Sequence, residues 1–276
     1  MSAAARTLAP PERRRLAVLE RQEYGAYVVL SCADLDGPRP QPGQFAMLMA
    51  AERWGGGDGE RPFLPRAFSV MRVDSAPPTQ VLQFLLEDVG PGTHRLCELR
   101  EDDELWLLGP LGIGFAPPDP GPPARRPLLV GGGVGIAPLA ILQDELDADA
   151  PALLGFRDAA HAEGAALLRA TRVATDDGSV GHHGLVTDLL VDELDRDPAA
   201  EVYACGPPAM LEAVRALCAE RGVPAQLALE SGMACGFGAC FGCVVPTRSG
   251  YVRLCLDGPV LDAAELESCL VPGAGH

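Results

Sequence analysis

Pro127-Leu-Leu-Val130-Gly-Gly-Gly-Val-Gly-Ile-Ala-Pro138 decides how the middle of this chain folds. The apolar run predicts a buried strand and the glycines a tight loop. Pro138 opens a helix over residues 138–148, because a first-turn proline gives up an N–H that has no helical partner anyway. A glycine loop between a strand and a helix can aim N–H groups and a helix N-terminus at a pyrophosphate. The spacing is not G-x-G-x-x-G, so the general dinucleotide fingerprint is not met. A tight strand–helix turn without a ligand is the alternative reading.

Further along, strand-like runs at 152–156, 172–175, 201–205 and 227–230 alternate with helical patterns at 165–169, 185–194 and 208–221. The alternation predicts a doubly wound parallel α/β sheet. In such sheets ligands sit beyond the carboxyl ends of the strands. Cys205-Gly-Pro-Pro-Ala-Met210 ends one strand and starts a helix, so it points at the same crevice as the glycine loop. Thr175-Asp176-Asp177-Gly178-Ser179 follows another strand. An acidic side chain there, Asp176 first, would accept from a ribose diol and repel a 2′-phosphate; a solvated acidic turn is the competing reading. His182 and His183 in the same loop read as solvated.

Upstream, short apolar runs at 16–19, 26–30, 44–49 and 81–86 are separated by Gly, Pro and Asp turns, which predicts a small antiparallel β-barrel. Residues 54–62 read as a charged, Gly-rich loop. The expected division is a loose tail over 1–13, the barrel over 14–116, a Pro-rich linker over 117–127, the α/β domain over 128–228 and a cysteine-bearing domain over 229–276.

That last segment holds Ser231-Gly-Met-Ala-Cys235-Gly-Phe-Gly-Ala-Cys240-Phe-Gly-Cys243, with Cys255 after eleven intervening residues. Four thiolates suit a [2Fe–2S] cluster, and the C-x4-C-x2-C spacing is the plant-type one. Zinc is the alternative, but a structural zinc site usually has two paired knuckles and there is no second C-x2-C. A disulfide framework needs an oxidising compartment, and the first fifteen residues lack the apolar core of a signal peptide. Cys32, Cys97 and Cys218 fall on apolar faces and read as core; Cys269 lies in a polar stretch with no assigned role.

The net charge of −16 disfavours nucleic acid or an anionic membrane as partner. No apolar run reaches about eighteen residues, so no membrane helix is expected. The expected compartment is the cytoplasm. In the barrel region, Arg66-Ala67-Phe68-Ser69 offers a guanidinium fork and a hydroxyl. Val89-Gly-Pro-Gly92-Thr93 offers N–H groups and a hydroxyl ahead of a helical turn.

These motifs, in this order, resemble the ferredoxin–NADP reductase superfamily over nearly all of residues 14–265. With the cysteines added, and with Leu254-Cys255-Leu-Asp257-Gly258-Pro259-Val260, the chain is similar to the family of electron-transfer subunits of NAD-dependent dihydroorotate dehydrogenases. The resemblance implies an FAD-binding barrel, an NAD-binding domain and a C-terminal [2Fe–2S] domain. It implies that Arg66, Ala67, Phe68 and Ser69 bind FAD, that Gly92 and Thr93 hold its pyrophosphate, and that Leu85, Leu86 and Glu87 run along its ribityl and ribose. Gly131, Gly132, Gly133, Gly135 and Pro138, with Cys205, Gly206 and Pro207, would shape the nicotinamide side. Cys235, Cys240, Cys243 and Cys255 would ligate the cluster. Ala67 stands where these subunits often have proline. The implied partner is an FMN-containing dihydroorotate dehydrogenase catalytic subunit, two copies with two of this chain. Electrons would pass from its FMN through the cluster and FAD to NAD, with no side chain required as acid or base. Similar modules serve ferredoxin-dependent transhydrogenases, sulfite reductases and hydrogenases. A binding module with structural zinc is the reading from another class.

Overall fold

A computed structural model of the chain describes residues 13–55, 62–76, 79–119, 121, 124–146 and 150–270. Most of the expected N-terminal tail, the centre of the 54–62 loop, parts of the 117–127 linker and the end of the 138–148 helix lie outside the described residues.

Six antiparallel strands close a barrel: β1 (Arg14–Tyr24), β2 (Tyr27–Asp34), β3 (Phe45–Ala50), β4 (Arg66–Ala76), β5 (Thr79–Glu87) and β6 (Glu104–Leu111), in the order β1-β2-β5-β4-β3-β6. Alternate residues point inward, so Leu16, Val28, Leu30, Leu48, Leu82, Phe84, Leu86 and Leu107 fill the interior. Each such side chain contributes about 1.5–3 kcal/mol on burial. The sequence reading named no strand at β4, where it saw only the Arg66–Ser69 motif, and none at β6. The signal was the apolar alternation of Phe68 and Val70, resumed at Val73 past a bulge, in one and the run 105–108 in the other. Helix α1 (Pro91–Cys97) follows β5.

The second layer begins with β7 (Arg126–Gly132), a 3-10 turn over Gly133–Ile136 and α2 (Ala137–Glu145). Then come β8 (Ala152–Phe156), α3 (Ala159–Ala162), β9 (Thr171–Thr175), β10 (His182–His183), α4 (Val186–Arg196), β11 (Ala200–Cys205), α5 (Pro208–Arg221) and β12 (Ala225–Ala228). The strand order is β10-β9-β8-β7-β11-β12, all parallel, with helices packed against it. Gly222 closes α5 in the left-handed conformation that glycine adopts without penalty. His182 and His183 are exposed on the edge strand β10.

The C-terminal segment does not stand apart. A hairpin of β13 (Val244–Thr247) and β14 (Gly250–Arg253) leads into the short helix α6 (Leu254–Asp257), and β15 (Val260–Asp262) then joins the large sheet antiparallel to β12. Just before β15, Pro259 bridges to Ile113 at the end of the barrel. One segment thus touches both layers, and the cysteine loop is pinned between them.

Cys269, read as lying in a polar stretch, is 1% exposed. Glu212 on α5 explains this. Its carboxylate accepts from the Cys269 N–H at 2.7 Å and the Ser268 hydroxyl at 3.1 Å, and pairs with Arg215. The Arg215 bond is the largest influence on Glu212; with the Cys269 N–H and Ser268 it holds the carboxyl down, from its ordinary 4.5 to about 2. A depressed acid contributes stability above its unfolded value and loses it as pH falls through the folded one. Denaturant melts should therefore show about 1–2 kcal/mol lost between pH 4.5 and 2, after discounting for the partly open side chain. Glu212→Gln should lack that slope; an unchanged slope would remove Glu212 as its source.

Candidate functional site

Two clefts and one loop bring together most of the residues singled out from the sequence. The first cleft, ≈ 300 Å³, lies between the barrel and the large sheet. Arg66, Ala67, Phe68, Ser69, Leu85 and Thr93 come from the barrel side, Gly135 from the glycine loop, and residues 229–233 with Pro259 from the far side. The Arg66 guanidinium donates to the Leu64 carbonyl and lies 6.0 Å from the Trp54 ring centroid. Among the described residues it meets no carboxylate, which leaves its charge available to a phosphate. Gly92 packs directly beneath it: a Cβ there would come within 2.6 Å of Arg66 Nε. The Thr93 hydroxyl accepts from the N–H groups of Val89 and Gly90 and donates to the Gly90 carbonyl. It shapes the turn, and its only proton is used there. A cation, a hydroxyl at Ser69 and apolar walls from Phe45, Leu85 and Val134 fit a flavin with a phosphorylated tail.

Strand alternation separates Leu85, Leu86 and Glu87. Leu85 faces this cleft, Leu86 faces the barrel interior with no exposure, and Glu87 faces the second cleft. Leu86 therefore offers only its backbone.

The second cleft, ≈ 440 Å³, opens beyond the carboxyl ends of β7, β8, β9 and β11. Gly132, Gly133, Asp176 and Pro207 line it. Gly131 and Pro138 are buried in the seam between β7 and α2 and reach neither cleft. Cys205 and Gly206 lie behind the wall, packed on the glycine loop. The sequence reading missed Tyr27, Phe156, Arg157, His161, Thr187 and Met210. Arg157 pairs with Glu87 at 2.9 Å, and His161 sits between Asp158 at 2.6 Å and Glu87 at 3.2 Å. These contacts tie the barrel to the sheet at the cleft mouth. Tyr27 is fully buried beside Gly133, and its hydroxyl has no protein partner. A glycine-lined pocket with an acid at its far end fits a dinucleotide.

Glu230, two residues past the end of β12, was also missed as a site residue; it lines the flavin-sized cleft. Its side chain is exposed, but to the cleft rather than to open solvent, and the dense surroundings raise its carboxyl. The neighbouring Cys205 thiol is pushed well above its ordinary value, first by its own burial and then by Glu230.

The loop carries the four cysteines as two pairs. Cys243 Sγ lies 3.3 Å from Cys255 Sγ, both buried. The Cys240 N–H points at Cys235 Sγ at 3.4 Å, and the Gly242 N–H at Cys240 Sγ at 3.4 Å. Burial alone would raise the Cys235 thiol, but the N–H groups of Cys240, Phe237 and Ala239 outweigh it and bring it down to about 7. Burial and the adjacent Cys243 push Cys255 up to about 12. Among the described residues no three His, Cys, Asp or Glu side chains converge as one ion requires. Two pairs fit a two-iron centre, which takes two thiolates per iron, better than one tetrahedral zinc. Gly238 at φ 84° allows the loop to close, since a Cβ there would come within 2.3 Å of Leu256.

A family model described as the iron-sulfur cluster binding domain of dihydroorotate dehydrogenase B matches residues 230–267. A curated protein of Caldanaerobacter subterraneus subsp. tengcongensis, named "Dihydroorotate dehydrogenase B (NAD(+)), electron transfer subunit", is 35% identical over 258 residues, 90% of this chain and 96% of its own length. One of the same name from Geobacillus thermodenitrificans is 37% identical, over 92% of this chain and 98% of its own. This chain belongs to the family of dihydroorotate dehydrogenase B electron transfer subunits.

Among solved structures, the NADH-dependent reduced ferredoxin-NADP oxidoreductase superposes with a TM-score of 0.76 at 25% identity, covering 97% of this chain and 92% of that one. A ferredoxin NADP+ reductase from Neisseria gonorrhoeae with bound FAD and NADP gives 0.60 at 16%, over 77% of this chain and 93% of that one, a likeness of fold. The family match at 230–267 covers all four cysteines and β15. In this chain the matched segment is also the one whose β15 joins the large sheet beside β12. No helix among the described residues is long and apolar enough to cross a membrane.

Proposed function

We propose that this chain carries electrons between a dihydroorotate-oxidising partner subunit and NAD(+), and that its sites are arranged in the order partner surface, cysteine loop, flavin cleft, nucleotide pocket. When bound, a [2Fe–2S] cluster takes electrons singly, FAD collects two, and NAD(+) accepts them as a hydride. The observation that carries the order is the continuity of residues 229–235. Leu229 to Met233 form one wall of the flavin cleft, and Cys235 follows two residues later, at most about 7 Å along the chain. Gly135 lies in the same loop as Gly132 and Gly133, so one turn separates the flavin cleft from the nucleotide pocket.

The chain's own residues bind and orient. Arg66, Ser69 and the Gly90–Thr93 turn would hold the flavin; Gly132, Gly133 and Pro207 would receive the nicotinamide nucleotide. Asp176 would accept from the adenosine ribose. Asp176→Ser should improve the KM ratio for NADPH against NADH by about tenfold, equivalent to ~1.4 kcal/mol. An unchanged ratio would place the ribose elsewhere.

The partner surface is proposed at the loop. Phe237 and Phe241 are exposed there, and Phe63 and Trp106 line an apolar groove that reaches Cys235. An exposed apolar patch beside a redox centre suits a protein partner. An FMN in the partner, a two-plus-two assembly and action in the cytoplasm belong to the same proposal; the family likeness supports them.

The decisive experiment is anaerobic. The tagged chain, purified from its own host with whatever accompanies it, is given dihydroorotate and NAD(+). NADH formation with a second subunit present is the expected result. A brown, NADH-reducible preparation that makes no NADH from dihydroorotate would exclude this partner and leave a flavin–cluster module of another oxidoreductase. A colourless protein would exclude both.

A further inference from the structure

Arg253 lies at the end of β14, two residues before Cys255. Its Nη1 donates to the Gly238 carbonyl at 2.9 Å, and its guanidinium carbon lies 5.0 Å from the Phe241 ring centroid. Gly238 precedes Cys240 by two residues and Phe241 follows it directly. A single guanidinium therefore spans the stretch that carries Cys240, the exposed member of the four thiols. Phe241 has φ 59°, a conformation that bulky side chains adopt only when held, and the cation over its ring is one such hold. Among the described residues the Arg253 side chain meets no carboxylate. Asp257 instead accepts from its backbone N–H at 3.0 Å. The other arginine of the segment, Arg248, is turned away, donating to the Ala264 carbonyl at 3.1 Å.

We propose that Arg253 sets the reduction potential of the iron–sulfur centre in this loop, as a positioning residue that places a fixed positive charge beside Cys240. The proposal rests on the cofactor reading above and goes beyond it. One-electron reduction adds one negative charge to a centre already held by four thiolates; no bond forms or breaks. A fixed cation stabilises the reduced form more than the oxidised one and raises the potential. Arginine suits the task because it stays charged at every working pH and stacks on an aromatic face while donating sideways.

The test is a dithionite titration of the full flavin- and cluster-loaded chain, followed by electron paramagnetic resonance, for wild type, Arg253→Gln and Arg253→Lys. The expected result is unchanged iron and sulfide content, an unchanged resonance spectrum, a clearly lower midpoint potential in the Gln variant and a potential near wild type in the Lys variant. Equal potentials in wild type and Arg253→Gln would overturn the proposal. So would equal shifts in the Gln and Lys variants, which would mark a packing role rather than a charge. If Arg253→Gln assembles no cluster, Arg253→Lys decides: wild-type potential supports the role of charge, and loss of the cluster there too overturns it. A wild-type chain without any cluster would overturn the cofactor reading itself, and this proposal with it.

Discussion

Cys255→Ser is expected to purify without iron–sulfur absorption and to lose dihydroorotate-driven NADH formation to background. Cys255 is buried and its sulfur touches Cys243, so a hydroxyl in its place leaves one iron short of a thiolate in a site closed to water. No neighbouring side chain can substitute, because among the described residues no further His, Asp or Glu joins the set. NADH-to-dye activity should survive: Arg66, Ser69, Gly132 and Gly133 all lie outside the loop and draw nothing from its sulfurs. Iron and sulfide analysis beside the two activities reads the result. Full coupled activity in Cys255→Ser, or in Cys235→Ser, would remove the loop from the electron route. Loss of both activities would mean that the loop also holds the fold of the cleft, as β15 makes possible.

Gly135→Ala is the second large effect. A Cβ at this position would lie 2.5 Å from the Cys205 carbonyl oxygen and 2.6 Å from Gly206 Cα. Both are backbone atoms of the strand end beside β7, so neither can swing aside as a side chain would. The glycine loop must lift away from the Cys205–Pro207 turn. That costs about 1–3 kcal/mol of stability and widens the wall shared by the flavin cleft and the nucleotide pocket. NADH-dependent flavin reduction should fall by about tenfold or more, since small displacements between reacting groups are costly. Cys235, Cys240, Cys243 and Cys255 lie outside this turn, so iron content should stay at the wild-type level. A variant with wild-type melting and wild-type flavin reduction would show that the close approach of the two turns has no functional weight.

Both expectations turn on contacts between segments far apart in the chain, and here sequence and structure divide. Local signals were readable because their causes are local. A valine–glycine–proline succession dictates strand, loop and helix start within a dozen residues, and α5 was legible to its bounds from Pro208 and Gly222. Cysteine spacing declares thiolate chemistry whatever surrounds it. Where the cause is a neighbour from elsewhere, the sequence was silent. Strand alternation turns Leu86 into the barrel while Leu85 and Glu87 face different clefts, yet all three read alike as one apolar-to-acidic run. His161 and Arg157 gained their place from Glu87 across the interface, and Glu230 became a cleft-lining acid only because β12 ends just before it. Cys269 is buried because Glu212, more than fifty residues earlier, accepts its N–H.

By itself, then, the sequence determined the two layers, the phosphate-type loop and the four thiolates, all consequences of backbone preference and side-chain chemistry over short spans. Only the tertiary structure decided that β15 pins the cysteine loop between barrel and sheet, that the thiols stand as two pairs, and that one wall of residues runs from the flavin cleft to Cys235. Those depend on which surfaces are buried against each other, a property of the packed chain that no short span carries.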